Sequence, residues 1–461
     1  MLTATWIVVF VLIIGVGIYT GRKIQSADQW SGADKSSSAW SIGCLLAAWQ
    51  IGGISIVGAA QNGYTTGISA VWYSIAGSTY FLVVAILAPL VREKMPKISI
   101  ASYLEERYSS RSAHLYSYIW LLFGLFYIPI QLKTIASLIQ IVIPAFDAKL
   151  AMIIGLVIAA IYTGFAGMKG SEAIGKIVCI SCYVLLVGFV VINLNEIGGY
   201  NALIDQLPDG HDKLIAGDYS VQSIIAVIFG DLFSCSAMQS VLQPIMAARD
   251  SKAARRGCLI GFLFAAPICI VTGLVGMIGR VHTDTLGDGA TAFAWTIREL
   301  NHPMVAGLIF AVVTMIIAAT MATMMLASGT VLANVYQTQI KKNATDAQVL
   351  TFSRVGTIVF SFCTLIPAFL LPSASLTSMF LTLIYIATGP VSFSVFAGLL
   401  WKRTNAQSSF WSMLVGVVVG VVWILLGYNN TLETIYPVIL ASYAIGIAIT
   451  LLTTKPQTAK A

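Results

Sequence analysis

Apolar residues along this chain come in long unbroken runs separated by short polar stretches, and do not alternate with the period of a half-buried strand or surface helix. A bilayer core of ~30 Å needs ~20 apolar residues as helix, because in hydrocarbon every backbone amide must find its partner inside the element. Runs of that kind cover roughly residues 1–20, 41–62, 68–91, 115–143, 149–167, 172–194, 221–247, 256–280, 303–336, 349–372, 376–400, 408–428 and 432–453. The pattern predicts an all-α polytopic membrane protein with about 13 transmembrane helices.

The connections carry less information. Residues 95–114 are polar and charged and read as a short interfacial helix on the inner face. Residues 195–220 make an acidic outer loop, and 282–300 a second one with a short helix. No low-complexity tract or soluble domain interrupts the series, so 1–461 is read as one membrane domain.

Composition narrows the class further. Charged residues are 10% of the chain, against ~25% in an ordinary globular protein. Hydrophobic residues are 58% and the mean hydropathy is +0.86. A water-soluble domain, a disordered chain, a coiled coil and a secreted disulfide scaffold are excluded. The 7 cysteines are odd in number and sit in apolar runs, so no disulfide framework follows. Cys179 and Cys182 have the spacing of a redox or zinc pair, yet lie one turn apart in an apolar helix without further ligands. His114, His211, His282 and His302 fall in or beside loops without metal spacing. No nucleotide-binding GxxxxGK[ST] motif occurs, and the spans hold no paired nucleophile and base, so neither a nucleotide-driven pump nor an enzyme is read.

Basic residues fix an expected orientation. Arg22 and Lys23 follow the first apolar run instead of preceding it, which argues against a signal peptide and for an outside amino terminus. With that start, inner loops and the carboxyl tail, including Lys455 and Lys460, hold nineteen Lys and Arg. The outer loops hold four, Lys149, Lys213, Arg280 and Arg298. The excess matches the positive-inside rule and accounts for the net charge of +7 without nucleic acid. Lys133, Lys176 and Arg354 remain within spans.

Two runs carry the marks of interrupted helices. The second has Gly52-Gly53 at its centre and Gly58 beyond; the seventh, five helices later, has Gly230, small polar residues and Pro244. Glycine and proline are common in packed membrane helices. The five-helix offset favours a pair of inverted repeats whose first helices unwind at mid-membrane.

The residues GRK then DQWSGAD, AAWQIGG to GAAQNGYTTG, and QSVLQPIMAARDSKAARRG resemble the sodium:solute symporter family over most of the chain. Pro244 stands where that family usually has Arg. The resemblance implies a leucine-transporter-type fold of 5+5 inverted repeats. Residues 1–40 would form a leading helix and loop, 41–194 the first repeat, 221–400 the second, and 408–453 two trailing helices. It also implies a sodium site built from the carbonyls of Ala47 and Gln50 and, in the ninth segment, from Ala319, Thr320 and Thr323. Ala319 replaces one of the family's two adjacent hydroxyls. The acidic residue some members carry after position 172 is replaced by Gly175 and Lys176. A lysine inside a helix costs ~3 kcal/mol or more unless paired or neutral. Its ammonium would stand in for the metal ion against the same carbonyls and Thr320, giving proton coupling or no cation coupling; alternatively it snorkels to the inner headgroups.

Solute is expected beside the breaks, at Trp49, Gln50, Gly52, Gly53 and Ser55, with Trp72 and Tyr73 from the third segment. The seventh adds Asp231, Ser234, Cys235, Ser236 and Gln239. Aromatic faces with a few amides and hydroxyls suit a small organic solute rather than an ion pore. Gln131 and Lys133 join from the fourth segment. Lys133 and Asp231 either neutralise one another or receive, respectively, a carboxylate and an amine or proton. The expected function is a secondary active transporter importing a small polar organic solute by alternating access, carboxylated where Lys133 receives it. It would sit in the plasma (inner) membrane with its carboxyl end in the cytoplasm, need no cofactor besides Na+ or H+ as coupling ion, and work as a monomer. A transporter-like membrane sensor is the alternative, weakened by the lack of a soluble output domain before Ala461.

Overall fold

The computed structural model describes residues 1–22, 24–217, 219–370 and 376–453. Among them every regular element is helical, and a single bridge joins Ser37 to Ala248. The basic residues Lys23, Lys455 and Lys460 lie outside the described residues.

The leading helix α1 (Leu2–Gly21) buries Trp6 and Phe10 and turns Val8, Val11 and Leu12 outward, the arrangement of a peripheral helix in lipid. A short turn, α2 (Ala27–Ser31), leads to α3 (Ala39–Gln50), whose first orphan amides are met by the Ser38 hydroxyl bonding Ser41. Helix α3 stops at Ile51, where φ −84° and ψ 69° leave the helical region. The chain resumes in a wide π turn (Ile54–Gly58) and α4 (Ala59–Thr66), so the second run is broken beside Gly52 and Gly53 as expected. Gly67, at φ 78°, turns the chain into α5 (Trp72–Gly77) and α6 (Tyr80–Lys94).

Helix α7 (Ile100–Arg107) is the short polar helix predicted after residue 95. Then α8 (Ser110–Val142) crosses the body, and α9 (Ala148–Ile197) is two helices joined at Gly167, whose φ of 53° only glycine takes easily. After α10 (Tyr200–Asp205), the seventh run forms α11 (Val221–Ser234) and α12 (Gln239–Met246), bent by 54° about an extended Met238. Next come α13 (Ser251–Ala265), α14 (Ile268–His282) and α15 (Ala292–Glu299), followed by α16 (Pro303–Val335), the most deeply buried span. The chain continues through α17 (Asp346–Cys363) and α18 (Leu365–Leu370). A bent pair, α19 (Leu376–Ala387) and α20 (Val391–Leu400), precedes α21 (Ala406–Leu425) and α22 (Ile435–Thr453).

Helix falls on each of the thirteen predicted runs, but the number of spans differs. Among the described residues nine helices are long and apolar enough to cross a membrane, or up to eleven with each bent pair as one. The shortfall has a cause: α3 has only 12 residues, and the first part of α9, Ala148–Ala160, is also short.

Small residues bring the broken helix against its neighbours. A β-carbon on Gly276 of α14 would lie 1.9 Å from the Ala60 carbonyl of α4, and one on Gly63 would lie 2.1 Å from the Gly273 carbonyl. Gly43 and Gly257 play the same part between α3 and α13, each meeting an isoleucine of the other helix at under 3 Å. The pair α13 and α14 thus runs along both halves of the second segment.

The basic end of the bundle is tied shut around Ser37. Its amide donates to the Ala247 carbonyl (3.1 Å), its carbonyl accepts from Arg249 (3.0 Å), and its hydroxyl donates to Glu172. Lys169 pairs with Asp34 at 3.2 Å, and Arg92 Nε donates to the Ala248 carbonyl at 2.7 Å.

Candidate functional site

A break in a membrane helix frees amides and carbonyls that water cannot reach, so protein groups or cargo must satisfy them. At the first break protein groups do so. The Ser55 hydroxyl donates to the Gln50 carbonyl at 2.7 Å, and the Ile51 amide to the Ala47 carbonyl at 2.7 Å. The Gly53 amide donates to Gln131 Oε1 of α8 at 3.1 Å, while Gln131 Nε2 donates to the Tyr127 hydroxyl at 2.9 Å. From α16 the Thr320 hydroxyl bonds the carbonyls of Ala48 (2.8 Å) and Ile316 (3.0 Å). From α14 Thr272 bonds the Ser55 carbonyl at 2.8 Å. Both glycines are needed for this approach: a β-carbon on Gly52 would lie 3.2 Å from Gln131 Nε2, and one on Gly53 2.7 Å from Thr134 Cγ2.

Beside this break lies a cavity lined by Trp49, Gln50, Gly52, Ile54, Ser55, Tyr73, Tyr127, Gln131 and Phe380. Its volume of about 10 Å³ admits about one water, so the conformation is closed around it. Aromatic rings form its wall, with Trp49 and Tyr127 centroids 5.3 Å apart and Tyr127 and Phe380 5.5 Å apart.

The expected site residues divide into three groups. Trp49, Gln50, Gly52, Ser55, Tyr73 and Gln131 line the cavity, and Gly53 borders it through its bond to Gln131. Asp231, Ser234 and Cys235 are buried behind it, on the first half of the seventh segment. Four others lie elsewhere. The Trp72 indole donates to the Leu214 carbonyl at 2.8 Å, tying the third segment to the acidic outer loop. Ser236 ends the first half of the seventh segment and Gln239 begins the second, where Gln239 bonds the Ile98 carbonyl and Ile100 amide and anchors α7. Lys133 is about 200° around α8 from Gln131, at ~100° per residue, and so leaves the face that carries Tyr127, Gln131 and Thr134. No ion pair joins it to Asp231 among the described residues.

The oxygens of the expected sodium set are present and mutually engaged. Ala47 and Gln50 accept from Ile51 and Ser55, and the Ala319 carbonyl accepts from Thr323 at 2.9 Å. Carbonyls and hydroxyls alone make up this set, the donor chemistry a hard cation takes. The Lys176 ammonium lies toward Cys44, about one turn before Ala48 on α3, and Thr320 is bonded to backbone carbonyls instead of to it.

Sequence reasoning passed over Tyr127, Phe380 and Thr134. Tyr127 and Thr134 could have been found from helical spacing, since they stand four before and three after Gln131 on one face. Phe380 had no local mark.

Two interrupted helices five spans apart on an all-helical body, the first opening on a small cavity and the second carrying buried polar residues behind it, are the features of a transporter of the inverted-repeat class. A sequence model of the sodium:solute symporter family matches residues 32–416, and the chain belongs to that family. Its relatives are transporters, and it is an integral multi-pass membrane protein rather than an enzyme. The sodium/glucose cotransporter of Vibrio parahaemolyticus is 22% identical, over 89% of this chain and 82% of that one. The high-affinity proline transporter PutP of Bacillus subtilis (strain 168) is 22% identical, over 86% of each. In fold, the chain is similar to a Na+-coupled sialic acid symporter in a substrate-bound outward-open state, with a TM-score of 0.81, 18% identity and 98% of both chains covered.

Proposed function

We propose that this protein is a sodium-coupled symporter importing a small polar organic solute by alternating access. The carrying observation is the break beside Gly52 and Gly53, whose freed backbone groups meet Gln131, Thr320 and Ser55 at a cavity walled by Trp49, Tyr73 and Tyr127. Residues 41–194 and 221–400 act as the two repeats. The cation is held by the carbonyls of Ala47, Gln50 and Ala319 with the hydroxyls of Thr320 and Thr323, after these exchange their present donors for the ion. Sodium is favoured over the proton because the sialic acid symporter of the same fold is Na+-coupled and nothing comparable supports Lys176 as a replacement. The protein sits in the inner membrane as a monomer, amino terminus outside, with no nucleic acid partner. The acidic outer loops and the basic residues around Ser37 support that orientation.

The test is uptake and counterflow of labelled solutes in liposomes holding the purified protein, under sodium, potassium and acid-inside or acid-outside gradients. Solute accumulation that needs an inward sodium gradient is expected. Equal accumulation in potassium driven by outside acid would replace sodium with the proton, and absence of counterflow for every solute class would remove the carrier reading.

A further inference from the structure

The polar groups of the second break are not satisfied as those of the first are. Asp231 is 2% exposed, and its Oδ1 has no hydrogen-bond partner among the described residues. The hydroxyls of Ser234, Ser236 and Ser240 on the same segment, and of Ser78 facing from the end of α5, are likewise buried and unbonded. A buried carboxylate with no countercharge is costly at any depth in a membrane protein, and such residues are kept where they meet a cation or a proton.

The surroundings of Asp231 select among cations. Its Oδ2 lies over Gly77, 2.8 Å from where a β-carbon would stand, and Gln50 Nε2 is 3.5 Å from the same point. Gln50 also lines the central cavity and receives the Tyr80 hydroxyl on its Oε1 at 3.3 Å, so its amide stands between cavity and carboxylate. The other titratable neighbours are the phenols of Tyr73, Tyr80 and Tyr385 and the thiol of Cys235. Oxygens that a hard metal ion could use are also at hand in these phenols and in the Ser234 hydroxyl one turn along α11, so the selection rests on the aromatic rings around the carboxylate. An organic ammonium needs one anionic acceptor and gains from aromatic faces.

We propose that Asp231 is the countercharge for the cargo, which is therefore a small organic ammonium compound whose cationic head reaches the carboxylate when the Gln50 side chain swings aside. This rests on the central cavity being the cargo site. Gly77 leaves room for the carboxylate and Gly230 for the Tyr385 ring beside it: a β-carbon on Gly230 would lie 2.1 Å from that ring.

The experiment measures thermal midpoints and binding isotherms of the full chain in detergent with choline, ethanolamine, glycine betaine and agmatine. The controls are 3,3-dimethyl-1-butanol, the uncharged isostere of choline, and the chlorides of sodium, potassium and lithium. At least one ammonium probe is expected to bind and its isostere not to. Asp231→Asn should weaken that binding about tenfold or more, and Asp231→Glu should retain it. Asp231→Asn should also raise the midpoint of the ligand-free protein, which reports the unpartnered charge without any ligand. The inference is overturned if no ammonium probe binds, if Asp231→Asn binds it as wild type does, or if the Asp231-dependent shift comes from an alkali chloride alone. An uncharged solute that binds and undergoes counterflow independently of Asp231 would overturn this inference and leave the carrier reading standing.

Discussion

Thr320→Val separates the two parts Thr320 plays in this reading. The hydroxyl is fully buried and donates at 2.8 Å to the Ala48 carbonyl, 272 residues away in sequence. Ala48 stands where α3 ends, so no helical amide replaces that donor. Valine keeps the shape and removes the oxygen. A buried carbonyl left without its donor costs ~1–3 kcal/mol, and the same substitution deletes one cation ligand. If a cost of that size falls on sodium binding, the sodium concentration for half-maximal uptake rises between about 5-fold and about 100-fold, since ~1.4 kcal/mol is tenfold. Thr320→Ser should stay close to wild type. The assay is initial uptake in liposomes against sodium concentration, paired with the thermal midpoint in detergent. Unchanged sodium dependence in Thr320→Val would remove Thr320 from the cation site. An unchanged midpoint as well would refute the argument that its hydroxyl clamps the break.

Gln131→Leu leaves the Gly53 amide and the Tyr127 hydroxyl without their shared partner; a loss of ~2–3 kcal/mol is expected, read as a lower unfolding midpoint with Gln131→Glu less affected. Gly276→Ala forces a β-carbon to 1.9 Å from the Ala60 carbonyl, and because the obstacle is backbone the helices must part, costing ~3 kcal/mol or more; size-exclusion and midpoint measurements should find little folded protein. Lys133→Gln, on the far face of α8 from Gln131, should leave solute affinity within about twofold, and a tenfold loss would return Lys133 to the cargo site.

How far the fold could be read depended on whether its cause was local. The apolar runs register at their true positions because spanning a bilayer depends on the hydropathy of each stretch alone. The first break was legible because a Gly52-Gly53 pair at the centre of an apolar run, five spans before a second such run, fits an unwound repeat better than packing alone. The second was found in the right run but for an inexact reason. Gly230 and Pro244 both sit inside regular helix, the former to admit the Tyr385 ring, and the chain actually bends at Met238. A glycine that makes room and a glycine that unwinds a helix look alike until the neighbour is known. Lys133 shows a different limit. Its depth was right, but its face on α8 was fixed by the position of Gln131 and not weighed. Bonds such as Thr320 to Ala48 join residues from opposite ends of the chain, and only the resemblance to a family brought the two segments together beforehand.

The two breaks, similar in sequence offset, are unequal in energy. Donors from three other helices, Gln131, Thr272 and Thr320, meet the first, so its freed backbone groups are satisfied by the protein itself in this conformation. At the second, an extended Met238 separates the halves while Asp231 and the serines around it wait for partners. Interactions that form only when cargo arrives are the ones that can drive a change of state, because a contact satisfied equally in both states shifts no equilibrium. The seventh segment is therefore the half of the site whose geometry responds to occupancy. The Gln50 side chain, which lines the cavity and lies beside Asp231, is where the two breaks are in touch.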